Sequence, residues 1–154
     1  MAPAFDKSDE FAIDKPASVV CPKLDAHNKC WIHDRLAKAG FKGCVTYDCL
    51  GAGQRVVQEL FPGQSWRADP DLLPEMWQAL TALRGLHELI QMLDVAARLP
   101  LSAEERRTLE GLQGELEPAG GWTRQTLADV DAGPVRKQAG AFLRSLGRHR
   151  ALLE

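Results

Sequence analysis

Apolar residues recur at helical spacing through most of the second half of the chain. Leu73, Met76, Trp77, Leu80, Leu83, Leu86, Ile90, Leu93 and Ala97 fall three or four apart, which is the stripe of an amphipathic helix. Asp69-Pro70-Asp71 supplies its acidic, proline-bearing start, and the helix is expected to run to about Arg98, closed by Pro100. Ser102 and Glu105 read as a capping box for a following helix through Leu109, Leu112 and Leu116. Pro118-Ala119-Gly120-Gly121 breaks the pattern. A short helical piece around Leu127 and Val130 comes next, and Asp131-Ala132-Gly133-Pro134 opens a last helix with Val135, Ala139, Phe142, Leu143, Leu146 and Leu153 on its core face.

The first sixty residues are patterned differently. Residues 1–18 carry mixed charge, two prolines and a thin apolar pattern at Phe11 and Ile13, so they read as an irregular arm. Residues 19–61 read as a turn-rich segment with two short helices. One is expected within Trp31–Ala39, stopped by Gly40, and the other begins near Gly53 with Val56, Val57, Leu60 and Phe61 at helical spacing. Pro62-Gly63 ends that helix. Nowhere does strand-like alternation persist. The expected fold is mainly α, a turn-rich segment at 19–61 followed by a small helical bundle over 62–154.

Composition leaves this picture in place. The chain has 154 residues, 45% of them hydrophobic and 26% charged, as an ordinary globular domain does. A net charge of −2 gives no electrostatic case for nucleic acid or an anionic membrane as partner. No apolar run approaches the roughly 20 residues of a spanning helix. The N-terminus lacks a basic-then-apolar leader pattern, so a cytoplasmic protein is expected.

The candidate chemistry lies in the turn-rich segment, which holds all four cysteines as Cys21-x8-Cys30-x13-Cys44-x4-Cys49. In a reducing compartment such a cluster points to a metal site more than to disulfides, and thiolates are soft, anionic ligands that suit zinc and iron–sulfur clusters alike. Zinc ribbons usually carry two short cysteine knuckles. Here only Cys44-x4-Cys49 comes close, so the wider loops favour a [4Fe–4S] cluster, with Zn2+ as the alternative. Paired or redox thiols and inert buried cysteines are the further readings.

Several neighbours could support such a centre. His33 is a possible ligand, although four thiols already fill four positions and a hydrogen-bonding or packing role suits it better. Gly43, Gly51 and Gly53 could let the backbone approach the site, or could serve only as loop glycines. Phe41, Val45 and Tyr47 offer material for a dry pocket. His27 reads as solvated and His87 as a satisfied histidine of the long helix. The four tryptophans read as core residues, one to an element. No phosphate loop, nucleophile elbow or purposeful carboxylate pair is recognisable, so the chain leans away from an enzyme.

The cysteine stretch resembles the bacterial YkgJ-like zinc- or iron-chelating cysteine-cluster family over about residues 19–58. The resemblance is carried by Cys21, Cys30-Trp31-Ile32-His33, Arg35-Leu36, Cys44 and Cys49. It implies that the four cysteines are the ligands, and a similar arrangement in flagellin lysine methylases implies iron–sulfur chemistry. His33 stands where that family often has tyrosine, Leu36 replaces a common proline, and the Cys30–Cys44 interval is longer than usual. The string GFKGCVTYDCLGAGQRV is also similar to the N-terminal region of some bacterial pentapeptide-repeat proteins, without the repeats.

The function expected from these readings is metal binding at a four-cysteine site, in electron transfer, sensing or a larger assembly with a protein partner. One alternative is a zinc-stabilised adaptor that binds its partner through the helical bundle. Another is a cluster-dependent modification enzyme or its accessory subunit.

Overall fold

The computed structural model describes residues 3–152; Leu153, expected on the last core face, lies outside them. The chain gathers into two compact units, Met1–Asp48 and Cys49–Glu154. The protein is mainly helical, with six α-helices and no strand beyond isolated bridges among the described residues. None of these helices is long and apolar enough to cross a membrane.

In the first unit, three aromatic and aliphatic side chains do most of the organising. Phe5, Ile32 and Phe41 are buried together, and Phe11, Ile13, Cys30, Leu36 and Ala39 pack against them. Phe11 stacks on Phe5 with centroids 4.2 Å apart, and Phe41 meets Phe5 edge-on at 6.4 Å. The arm is thus irregular in backbone but anchored. An antiparallel bridge joins Phe5 to Lys15, each backbone N–H donating to the other's carbonyl. The helix expected within Trp31–Ala39 is only a 3-10 turn, His33–Arg35, continued by hydrogen-bonded turns to Gly40 in the left-handed region (φ 81°). Ile32 and Leu36 are too few apolar anchors to repay the nucleation cost of a longer helix. Helix α1, Lys42–Thr46, follows directly.

The second unit begins with α2, Ala52–Arg55, which widens into a π turn over Val56–Leu60. The wider turn keeps Val56, Leu60 and Phe61 inside but leaves Val57 exposed, which a strict α-helical reading had placed with them. Helix α3, Leu72–Ala96, is the central element, packed against α2, α4, α5 and α6. Pro70 precedes it and Pro74 occupies its first turn, where a missing N–H costs nothing. Leu83, Leu86 and Leu93 are fully buried along it, each worth about 1.5–3 kcal/mol against exposure.

Helix α4, Ala103–Leu116, starts with both halves of the Ser102–Glu105 capping box in place. Helix α5, Arg124–Ala132, starts with an unforeseen one, Thr123 with Thr126, in which a hydroxyl does the work usually given to Glu or Gln. Helix α6, Val135–Ser145, buries Val135, Ala139 and Phe142 and passes into a 3-10 segment, Leu146–Leu152. Between α2 and these later elements, Arg55 ion-pairs with Glu117 at 2.7 Å, and the Glu59 carboxylate accepts from the Trp122 backbone N–H at 2.9 Å.

Candidate metal centre

Cys21 and Cys30 each open a hydrogen-bonded turn, Leu24 N–H donating to the Cys21 carbonyl and His33 N–H to that of Cys30. The loop between them is built on Asp25. Its carboxylate accepts from the backbone N–H groups of Lys29 (2.9 Å) and His27 (2.8 Å), while Asn28 takes a left-handed conformation (φ 62°). These bonds, that from Lys29 foremost, hold the Asp25 carboxyl below the usual carboxylate range. The loop closes with a Leu24–Cys30 bridge and a Trp31 N–H bond to the Lys23 carbonyl, which brings Cys30 back beside the Cys21 turn. Cys44 lies in α1, its N–H bonded to the Phe41 carbonyl.

Desolvation pushes the Cys44 thiol above its ordinary range, and the neighbouring Cys21 and Cys30 push it further. Cys21, Cys30 and Cys44 sit on separate turns of the first unit. All of the cysteines are unpaired by disulfides. Yet no three His, Cys, Asp or Glu side chains stand together as a ready metal site among the described residues. Thiols are the donor type that suits a soft metal, but among the described residues they do not stand together as a ligand sphere.

Cys49 belongs to the second unit. Its thiol lies 3.9 Å from Gln54 Oε1, and its carbonyl accepts from Ala52 N–H. Leu50 and Gly51 follow in left-handed conformations, φ 53° and 79°. His87 Nδ1 lies 2.7 Å from the Leu50 carbonyl, a contact that requires the Nδ1–H tautomer. The long-helix histidine is therefore satisfied, as expected.

The supporting residues divide. His33 and His27 are exposed. Gly51 is needed for its dihedrals. Gly43 is needed for space, since a Cβ there would come within 2.2 Å of the Phe11 ring. Gly53 has no such constraint, because a Cβ would meet only Cys49 Sγ at 3.6 Å. Phe41 is buried, but Val45 (61% exposed) and Tyr47 (40%) are not, so they do not form the expected dry pocket. Trp122 is buried as a core residue, whereas Trp31 is 52% exposed, with Lys23 Nζ and Arg35 Cζ lying 5.0 and 5.6 Å from its ring centroid. Lys15 and Asp25 escaped sequence reading. For Asp25 the polar Asp-x-x-Asn run was a usable signal; for Lys15 there was none.

No family model matches the chain, and no solved structure matches it. Among curated proteins it is similar to Uncharacterized protein YybG of Bacillus subtilis (strain 168), with 34% identity over 113 residues. The match takes in 71% of this chain, which spans about 40% of that relative's length.

Proposed function

We propose that this chain is a metal-binding protein in which Cys21, Cys30, Cys44 and Cys49 supply thiolates to a [4Fe–4S] cluster. The observation that carries the reading is the cysteine pattern itself, Cys21-x8-Cys30-x13-Cys44-x4-Cys49, with Cys21, Cys30 and Cys44 lying within one compact unit. Cys49 enters as fourth donor from its place in the cysteine pattern. A bound cluster supplies one-electron chemistry or a structural clamp, suited to electron transfer, sensing or a larger assembly. The chain's own part is to present thiolates on fixed turns: the Asp25 loop sets Cys30, and the Phe41 turn sets Cys44. Unpaired cysteines in such a centre belong in a reducing compartment such as the cytoplasm.

The alternative is a zinc-stabilised adaptor. What favours it is an apolar groove of about 370 Å³ on the helical bundle, lined by Met92, Val95, Leu99, Leu143 and Leu146, with Met92 and Val95 exposed. Such a face suits a protein partner better than nucleic acid.

Purification without air, followed by iron, zinc and acid-labile sulfide analysis and a visible spectrum, separates the readings. Brown protein with matching iron and sulfide supports the cluster. Colourless protein with stoichiometric zinc supports the adaptor, and metal-free protein defeats both. Cys44→Ser is expected to lose bound metal together with local order, since binding and folding of such sites are coupled. Unchanged metal content would remove Cys44 from the ligand set.

A further inference from the structure

Among the described residues Trp31 is the only exposed tryptophan, at 52%. The loop built on Asp25 holds it there: its N–H donates to the Lys23 carbonyl at 3.0 Å, beside the Leu24–Cys30 bridge. That pairing sets the Lys23 side chain against the ring, with Nζ 5.0 Å from its centroid and 6.0 Å from that of buried Phe41. Arg35, in the 3-10 turn, brings its guanidinium carbon to 5.6 Å. Neither cation pairs with a carboxylate among the described residues, whereas in the second unit Arg55, Arg124, Arg136 and Arg148 all do. An aromatic face orients a cation without neutralising it.

The surface therefore offers a large apolar ring with two oriented cations whose charge is not compensated. Tryptophan and arginine are the side chains that most often dominate interface energetics. A free phosphate would satisfy the cations and leave the ring in water. A nucleic acid could cover both, but residues 1–48 hold seven Lys or Arg and seven Asp or Glu, so no net positive field holds a phosphate chain there. A peptide with carboxylates beside an apolar side chain satisfies ring and cations together. We propose that Trp31, Lys23 and Arg35 form a docking patch for an acidic peptide segment of a protein partner, with its carboxylates on the cations and its apolar side chain on the ring.

The probe is a blocked pentapeptide, leucine flanked on each side by two glutamates, added to full-length protein, with its glutamine counterpart as control. The Trp31 indole N–H resonance, identified by its loss in Trp31→Phe, reports contact. The glutamate peptide is expected to shift it with a Kd on the order of a millimolar, and the glutamine peptide to leave it in place. Raising salt from about 0.1 M to about 1 M shortens the screening length from about 10 Å to about 3 Å and should abolish the shift. Lys23→Gln and Arg35→Gln should each weaken binding about two- to fivefold, as loss of an exposed charge pair does. Lys7→Gln, at an exposed cation of the arm, should not.

A Trp31 resonance unmoved by the glutamate peptide, or moved equally by both peptides, overturns the proposal. Equal binding by the native chain, Lys23→Gln and Arg35→Gln does the same. A stronger response, charge for charge, to oligothymidylate or to phosphatidylserine vesicles would assign the patch to a polyanion and overturn it too. Where Trp31→Phe fails to fold, the Trp31 backbone amide, assigned sequentially in the native chain, serves as the reporter and the same outcomes decide.

Discussion

Replacing Gly43 with alanine tests how tightly the cysteine-bearing unit is packed. An added Cβ would lie 2.2 Å from Phe11 Cζ and 2.6 Å from Cε2. Ordinary carbon–carbon contact is about 3.5–4.0 Å, so roughly 1.3 Å or more of movement is required. Neither partner is free to give it. The Phe11 ring is stacked on buried Phe5, and the Gly43 N–H is bonded to the Glu10 carbonyl at 3.2 Å. Overpacking of this kind costs about 1–3 kcal/mol, and the size of the clash points to the upper end. Alanine recovers about 1 kcal/mol of helix propensity in α1, leaving a net loss of about 2 kcal/mol. Phe11→Leu removes the ring edge that collides. In that background Gly43→Ala should be neutral or slightly stabilising, a coupling of about 2–3 kcal/mol in the double-mutant cycle. Native-state hydrogen exchange on peptides from residues 3–48 reads both values locally. Undiminished protection in Gly43→Ala, or an equal penalty with and without the Phe11 ring, would refute the steric argument.

Three further outcomes follow from the second unit. Leu86→Ala, at a fully buried position of α3, is expected to cost about 2–5 kcal/mol, seen as a fall in Tm by circular dichroism; a loss below about 1 kcal/mol would contradict the packing. Ser102→Ala should cost about 1 kcal/mol through the α4 cap in urea unfolding. The Glu105 carboxyl is lowered to about 2, first by its bond from Arg148 and then by those from Ser102. Because its folded pKa lies below the ordinary value, its stabilisation is complete above about pH 4.5 and fades as pH falls toward 2. The stability gap between the native chain and Glu105→Gln should therefore close across that interval, and a gap that persists at pH 2 would rule out this linkage.

The helical unit was largely legible in the sequence. The stripe from Met76 to Leu93 and the Ser102–Glu105 signature mark α3 and α4 within a residue or two of their observed starts, because helical period and capping are local codes. The first unit was less so. Ile32 and Leu36 looked like one face of a helix, but the chain makes only a turn there. The candidate ligands could be named from spacing alone, whereas their surroundings could not.

By itself, then, the sequence determined which residues could bind a soft metal and which faces of the later helices are buried. Tertiary structure alone decided that Phe5 and Phe11 anchor the arm, that Gly43 makes room for a ring, and that Lys15 is buried at the Cys21 turn. Each of these depends on a pairing between residues distant in the chain, with no period or motif to announce it. Such contacts are chosen by what fits against what once the chain has closed.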